Sequence, residues 1–321
     1  MSFSNLQMPA KVTEVVQVTP QIKRFRFEPA HGSEFRSFSG GAHIIVEMND
    51  GHLARRNAYS LMSHPAHVSS YMISVLRDDA GRGGSRFMHD QIKEGMIIKI
   101  SHPVNLFAAT FNATRHLLIA GGIGITPFVA MMEQLSLENR PFELHYAARS
   151  QKDAAYAEAI ACKFGSSVNL YFSDLGQRLD IKQALTFQPL GTHLYVCGPE
   201  RLIDDVVAIA TAEGWPKQNI HLERFMAAAI GAPYDVELAR AKKTVSVGST
   251  QSMLEAIEAA GVDAPYFCRG GACGQCETAV VLCDGKLVHA DHFLTEEVKA
   301  SRTKVMPCVS RFEGKKLVLD L

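Results

Sequence analysis

Residues 116–127, HLLIAGGIGITP, run from an apolar stretch through three closely spaced glycines, Gly121, Gly122 and Gly124, to Thr126 and Pro127, after which FVAMMEQLSLE has a helical pattern. An apolar strand that ends in a glycine turn and opens a helix is the opening unit of a parallel α/β sheet. Its backbone amides and helix N-terminus suit a pyrophosphate. The spacing is not G-x-G-x-x-G, and taken alone the turn is as readily a packing device. A second turn of the same kind supports the nucleotide reading: HLYV leads into Cys197, Gly198, Pro199 and Glu200, again where a strand gives way to a helix. Open α/β sheets bind ligands at that carboxyl edge. With FELHYAA, a helical stretch near Asp153 to Cys162 and VNLYFS between the two turns, residues 110–228 are expected to form a doubly wound α/β domain that binds NAD.

Upstream the texture differs. VTEVVQV, IKRFRFE, HIIVEM, YMISVLR and MIIKI are short, rich in β-branched residues, partly alternating, and separated by Gly, Pro, Asn and Asp, which predicts an antiparallel β-barrel over residues 1–109. Downstream, AAAIGAP at 227–233 is small and aperiodic, and residues 229–234 are taken as a linker. From Asp235 the order is VELARA, KTVSVG, a helix over Met253 to Ala260, a Cys-rich loop, ETAVVL and a closing KLVLDL, a small α+β unit over 235–321. A chain of 321 residues has room for three such units.

The Cys-rich loop carries the most specific signal. Cys268, Cys273 and Cys276 in FCRGGACGQC have four and two intervening residues, and Cys308 in MPCVS lies far downstream. This is the plant-type 2Fe-2S ligand spacing. Four thiolates must surround two irons, and Gly270, Gly271 and Gly274 let the backbone curl until its amides point at sulfur. A structural zinc site usually pairs two short Cys-x-x-Cys hairpins, whereas here three thiols share one loop and the fourth is solitary. Of the remaining cysteines, Cys162 reads as a buried small side chain in a helix and Cys283 as an incidental surface thiol.

The 33 basic side chains balance the 33 acidic ones, which excludes bulk attraction for nucleic acid. No apolar run approaches the roughly 20 residues of a membrane span, and MSFSNLQMPAKV lacks a signal-peptide pattern. A cytoplasmic protein is expected. An odd cysteine count of seven, five of them in the last third, favours redox or metal chemistry over disulfides.

With GGIGITP, CGPE and the cluster loop in place, the chain resembles the ferredoxin-NADP reductase superfamily, and within it the phthalate dioxygenase reductase type that serves Rieske oxygenases. The resemblance covers essentially the whole length and implies the order flavin barrel, NAD domain, C-terminal β-grasp ferredoxin, with FMN as the flavin. In such reductases an Arg-x-Tyr-Ser stretch holds the flavin. The matching residues are Asn57, Ala58, Tyr59 and Ser60, so the arginine position holds Asn57, with Arg55 and Arg56 just before it. A glycine turn that suits an anionic phosphate is matched by Arg82, Gly83, Gly84 and Ser85. Phe225 in HLERF occupies the place of an aromatic residue beside the isoalloxazine, and is equally readable as core. NAYSLMS and RGGSRFMH resemble reductases of oxygenases acting on quaternary or methylated amines, such as carnitine or betaine.

The resemblance implies a mechanism. A nicotinamide gives up two electrons together and an iron-sulfur centre accepts one at a time, so a flavin must stand between them. NADH would lie across the two glycine turns, with Thr126 and Cys197 flanking the nicotinamide. NADH is expected rather than NADPH, because Arg178 is a lone candidate for a 2′-phosphate after VNLYFS. Electrons would leave through the cluster to a terminal Rieske oxygenase. A stand-alone flavin oxidoreductase and a non-enzymatic redox sensor are the other readings.

Overall fold

Alternation of apolar and polar side chains shapes the first third of the chain. The computed structural model describes residues 7–32, 34–49, 51 and 54–321. Strands β1 (Gln7–Thr19), β2 (Ile22–Pro29), β3 (Ala42–Asn49), β4 (Ala54–Ser60), β5 (Tyr71–Leu76), β6 (Ile97–Ser101) and β7 (Val104–Asn105) form an antiparallel sheet in the order β4-β3-β6-β1-β2-β5, with β7 on β3. Phe25, Phe27, Ile44, Val46, Tyr71 and Ile73 fill its core. The expected barrel is here an open path: among the described residues no ladder joins β4 to β5. Helix α1 (Gly84–Asp90) packs on β3, β4 and β5 and puts Met88 into the core. A helix therefore meets both edge strands where a closed barrel would have a further strand pair.

Uniformly apolar strands mark a sheet covered on both faces, and HLLIAG and HLYVC are of that kind. β8 (Arg115–Gly121), β9 (Phe142–Ala148), β10 (Val168–Phe172), β11 (Thr192–Cys197) and β12 (Ile220–Glu223) are all parallel, in the order β10-β9-β8-β11-β12. Helices α2 (Thr126–Leu137), α3 (Ala157–Phe164), α4 (Ile181–Leu185) and α5 (Glu200–Ala212) connect them. Leu118, Ala120, Tyr195 and Cys197 belong to the core that contains α2, and Leu117, Ile119, Leu194 and Val196 to the one that contains α5. The strand order reverses between β8 and β11. Helix α3 begins four residues later than the sequence suggests, because 151–153 form a short 3-10 turn and Tyr156 takes φ 65°. Cys162, expected to be buried, is exposed on α3.

The last unit is a mixed sheet of β13 (Tyr234–Leu238), β14 (Lys243–Val247), β15 (Thr278–Val288), β16 (Lys304–Val305) and β17 (Arg311–Leu319), in the order β14-β13-β17-β15-β16. Helix α6 (Met253–Ala259) buries Met253, Leu254, Ala256 and Ile257 in its core, and α7 (Glu296–Ser301) follows β15. Ser252 and Glu255 form a reciprocal capping box at the start of α6. The Cys-rich loop lies between α6 and β15. Among the described residues no helix is long and apolar enough to cross a membrane.

Polar ties join the units. The Gly40 amide donates to Gln134 Oε1 at 2.7 Å and Ser74 Oγ lies 2.6 Å from Tyr156 Oη; at the start of the second unit itself, the Thr110 amide donates to Tyr195 Oη at 2.8 Å. Tyr195 is fully buried on β11. Tyr195→Phe leaves that amide without its acceptor and should cost about 1–3 kcal/mol in chemical denaturation; an unchanged midpoint would mean that water replaces the hydroxyl.

Candidate functional site: two glycine turns, a flavin cradle and four thiols

The reversal of strand order sends the chain away from β8 on one side and from β11 on the other, which opens a crevice at their carboxyl ends. Both expected nucleotide turns are there, and they touch. A side-chain carbon on Gly124 would overlap the Cys197 carbonyl and the Gly198 amide, and one on Gly121 would come within 2.7 Å of Pro199 Cδ. Gly122 has φ 54°. Thr126 is buried and its hydroxyl donates to the Ile123 carbonyl at 3.0 Å, which ties the turn to the first turn of α2. The structure thus brings Gly121, Gly122, Gly124, Thr126, Cys197, Gly198 and Pro199 into one place.

Cys197 is fully buried, and burial first, then the Glu223 charge, pushes its thiol well above the ordinary range. It stays protonated. Glu223 ends β12 directly beside Cys197 in the parallel register, and burial pushes its carboxyl up to about 8. Its Oε2 is buried without a hydrogen-bond partner among the described residues. Sequence reasoning passed over Glu223 for Phe225. The available signal was a carboxylate at the last position of a strand on the ligand-binding edge. Phe225 is 48% exposed, which does not fit a core residue. Arg224 between them turns to α5, 2.6 Å from Asp204.

The flavin elements divide by strand face. Successive side chains of β4 alternate, so Arg55, Asn57 and Tyr59 share one face and Arg56, Ala58 and Ser60 the other. On the first face, Asn57 lies against Gly84, where a side-chain carbon would overlap Asn57 Nδ2, and Asn57 donates to Tyr59 Oη at 3.2 Å. Arg55 donates to the Arg82 carbonyl at 2.9 Å and lies beside Gly83 together with Arg86. Burial holds the Tyr59 hydroxyl protonated, pushed up to about 12. The structure therefore brings Asn57, Tyr59, Gly83 and Gly84 together around a cradle flanked by two guanidinium groups. It turns three other candidates elsewhere: Arg56 pairs with Glu47 and Glu258, Arg82 pairs with Glu255, and Ser85 Oγ is within hydrogen-bonding distance of the Asp78 amide and carbonyl. Ser60 is buried and Ala58 exposed.

The four thiols gather two by two. Cys276 Sγ and Cys308 Sγ are 3.2 Å apart, and the Cys268 amide points at Cys273 Sγ at 3.5 Å. The Gly270 amide points at Cys268 Sγ at 3.4 Å. In each pair one thiol is drawn below the ordinary range: Cys268 by its hydrogen bond with Cys273 and then by the loop amides, and Cys276 chiefly by its bond with Cys308. Cys268, Cys276 and Cys308 are buried, while Cys273 is half-buried at the loop surface. Two pairs of thiols served by backbone amides are the donor set a two-iron cluster needs, two ligands to each iron. Gly274, at φ 77°, lets the Phe293 ring lie directly on this loop.

Comparison with known proteins gives matches over the whole chain. Residues 98–220 match the family model for the N-terminal domain of dimethylamine monooxygenase subunit DmmA-like proteins, and residues 236–313 match the 2Fe-2S iron-sulfur cluster binding domain. The chain is 44% identical to a carnitine monooxygenase reductase subunit of Acinetobacter baumannii, over 98% of each chain. It is 43% identical to a heme-dependent oxidative N-demethylase beta subunit of Ectopseudomonas mendocina, over 98% of this chain and 99% of the relative. The solved structure of phthalate dioxygenase reductase, described as modular for electron transfer from pyridine nucleotides to 2Fe-2S, superposes with a TM-score of 0.89 at 31% identity. That match covers 99% of this chain and 98% of the other.

Two substitutions test the nucleotide crevice. Gly124→Ala forces the turns apart and should raise the KM for NADH by about 10- to 100-fold with the visible spectrum unchanged; an unaltered KM would separate the turn from the nucleotide. For Glu223, the folded chain keeps a proton between the ordinary carboxyl value of 4.5 and about 8 that the unfolded chain releases. Its contribution to stability therefore falls as pH rises through that window. Melting temperatures of the native protein and of Glu223→Gln between pH 5 and 8.5 should converge at low pH, with the variant the more stable of the two above pH 7; parallel curves would contradict the buried neutral carboxyl.

Proposed function

This chain belongs to the reductase components of oxygenase systems, in the phthalate dioxygenase reductase family, and we propose that it draws electron pairs from NADH and delivers single electrons to an oxygenase acting on a quaternary or methylated amine. The observation that carries this reading is that two touching nucleotide turns, a flavin cradle and paired thiols occur in one chain. When bound, the flavin supplies the exchange between a two-electron donor and one-electron acceptors, and the cluster supplies single-electron transport.

The chain's own residues bind and orient. Gly121, Gly122, Gly124 and the Cys197–Pro199 backbone form the bed of the nicotinamide nucleotide. Thr126 and the protonated Cys197 flank the reacting ring. Phe225, half exposed, suits the role of a ring-facing cover. Asn57, Tyr59, Gly83 and Gly84 suit FMN, with Arg55 and Arg86 beside its phosphate; Arg56, Ala58, Ser60, Arg82 and Ser85 frame this cradle from the other strand face and from the turn. Cys268, Cys273, Cys276 and Cys308 are the cluster ligands. NADH is favoured over NADPH because Asp174 and Arg178, both exposed after β10, together offer no net positive charge to a 2′-phosphate. We place the protein in the cytoplasm, with units spanning 1–109, 110–228 and 235–321 and a linker at 229–234.

The amine substrate rests on the similarity to carnitine monooxygenase reductase subunits, and a Rieske oxygenase is the partner first expected. A haem-dependent N-demethylase is a second reading, favoured by the 43% identical relative of that name. Reconstitution with each kind of partner separates the two.

Anaerobic titration of the purified protein with NADH should bleach both flavin and cluster absorption, with FMN released on denaturation. Cys273→Ser should still be bleached in the flavin band but lose at least about 100-fold in reduction of cytochrome c, as expected when one ligand of a metal site is lost. Full cytochrome c reduction by the variant would sink the reading, and rapid amine-linked turnover without any partner would favour a stand-alone enzyme.

A further inference from the structure

The seam between the first and third units is charged where an apolar one would serve. Glu255 and Glu258 are three residues apart on α6 and so share a helix face. Glu255 takes Arg82 Nη1 at 2.7 Å and the Arg56 amide at 3.2 Å. Glu258 takes Arg56 Nη1 at 2.9 Å from one side and Arg269 Nη1 at 2.9 Å from the other. Arg56 is held in addition by Glu47, at 2.7 Å. The result is a continuous chain, Glu47–Arg56–Glu258–Arg269, from strands β3 and β4 of the flavin unit to the residue that follows the first cluster thiol. A second bridge leads from the glycine turn of the flavin cradle to the same helix. Arg269 has φ 54° and lies 3.7 Å over the Tyr266 ring. Its backbone is thus in the left-handed region that a non-glycine residue adopts only when its surroundings enforce it.

Stability is a poor reason for this arrangement. The Arg82 and Glu255 side chains are 8% and 2% exposed and that of Arg269 is 4% exposed. Desolvating such charges offsets most of their attraction, and an apolar seam would hold the units as well. Burial alone would raise the Glu255 carboxyl, yet the Arg82 charge and hydrogen bonds leave it below the usual range. Paired charges of fixed geometry give orientation that apolar contact does not. Glu258 gives it to two partners at once: the strand whose other face forms the flavin cradle, and the loop that carries Cys268.

We infer that Glu258, seconded by Glu255, is the positioning residue that fixes the cluster loop against the flavin strand. The inference rests on the electron-transfer function proposed above, and it assigns to α6 the task of keeping donor and acceptor in register. Replacing Glu258 with a neutral side chain removes the carboxylate that stands between the Arg56 and Arg269 guanidinium groups, and leaves Arg56 to Glu47 and Arg269 to the Tyr266 ring. The loop must then move.

The test compares the native holoprotein with Glu258→Gln and Glu258→Asp, each with flavin and cluster content verified, by hydrogen exchange and by anaerobic stopped-flow absorbance after mixing with NADH. In Glu258→Gln, amide exchange across residues 54–60 and 266–276 should rise about tenfold or more, reporting local opening. Cluster bleaching should slow by about 10- to 100-fold while flavin bleaching keeps its native rate. Glu258→Asp, which keeps the charge at shorter reach, should lie between the two, and it carries the test should the Gln variant not fold. Native exchange and native cluster bleaching in both variants would overturn the inference, as would a loss shared equally by flavin and cluster bleaching, which marks a merely structural role. If the native protein's cluster is not bleached by NADH, the proposed function fails, and the exchange data still decide whether Glu258 positions the loop.

Discussion

Backbone-on-backbone contact between Gly124 and the Cys197–Gly198 peptide is the constraint on which the rest of the molecule turns. It exists because β8 and β11 are neighbours at the point where the sheet changes direction, so the loops that leave them share one crevice. Any side chain at Gly124 would occupy the space of that peptide. The contact forms the floor of the crevice, and the ladder of β11 with β12 brings Glu223, the last residue of β12, beside Cys197. The first sheet is carried to the same crevice: β5 packs against the 3-10 turn at Gly122–Ile125. This close approach, with the ties from Gly40 to Gln134 and from Ser74 to Tyr156, sets the first sheet against the turns.

The two seams of the molecule are built from different materials, and the difference matches their tasks. Between the first and second units the ties are neutral hydrogen bonds, Gly40 to Gln134 and Ser74 to Tyr156. Between the first and third they are ion pairs, Arg82–Glu255 buried and Arg56–Glu258 half-buried. Neutral ties are modest each, near about 1 kcal/mol, and suit a crevice that must admit and release a nucleotide. Buried charge pairs are expensive to break singly, and suit a distance that must not vary.

Much of this was legible in the sequence, for identifiable reasons. The parallel sheet announced itself through HLLIAGGIGITP and HLYVCGPE, because uniformly apolar strands and glycine turns reflect local constraints that residue types record directly. The gathering of the four thiols was equally plain, since the geometry that suits two irons is written as spacing. The open edge between β4 and β5 was not legible: strand pairing at a sheet edge depends on what packs there, here α1, and alternation looks the same in a closed barrel. Cys162 was misread as buried because a single cysteine in a short helix carries no sign of which face it occupies. Glu223 escaped notice because its importance comes from Cys197, distant in sequence and adjacent only in the β11–β12 register. The ion pairs of α6 with Arg56 and Arg82 span 202 and 173 positions, and no local pattern foretells them.

The arginine expected in the flavin strand and replaced by Asn57 illustrates how a strand resolves such a departure. Arg56 is adjacent in sequence, but the period of two puts it on the opposite face, where it is committed to Glu47 and Glu258. Within β4, only a residue an even number of positions away can bring a positive charge to the face of Asn57, and Arg55 is two positions away, its Nε reaching the Arg82 carbonyl in the glycine turn. Arg82, the other cation of that turn, is drawn off by Glu255. The paired arginines of ARRNAYS are thus not redundant. One faces the flavin cradle and the other faces the ferredoxin unit, and their adjacency on a pleated strand lets a single segment serve both without a change of backbone course. Asn57, shorter and uncharged, lies against Gly84, where a side-chain carbon would overlap its Nδ2, so strand and turn approach closely at this position.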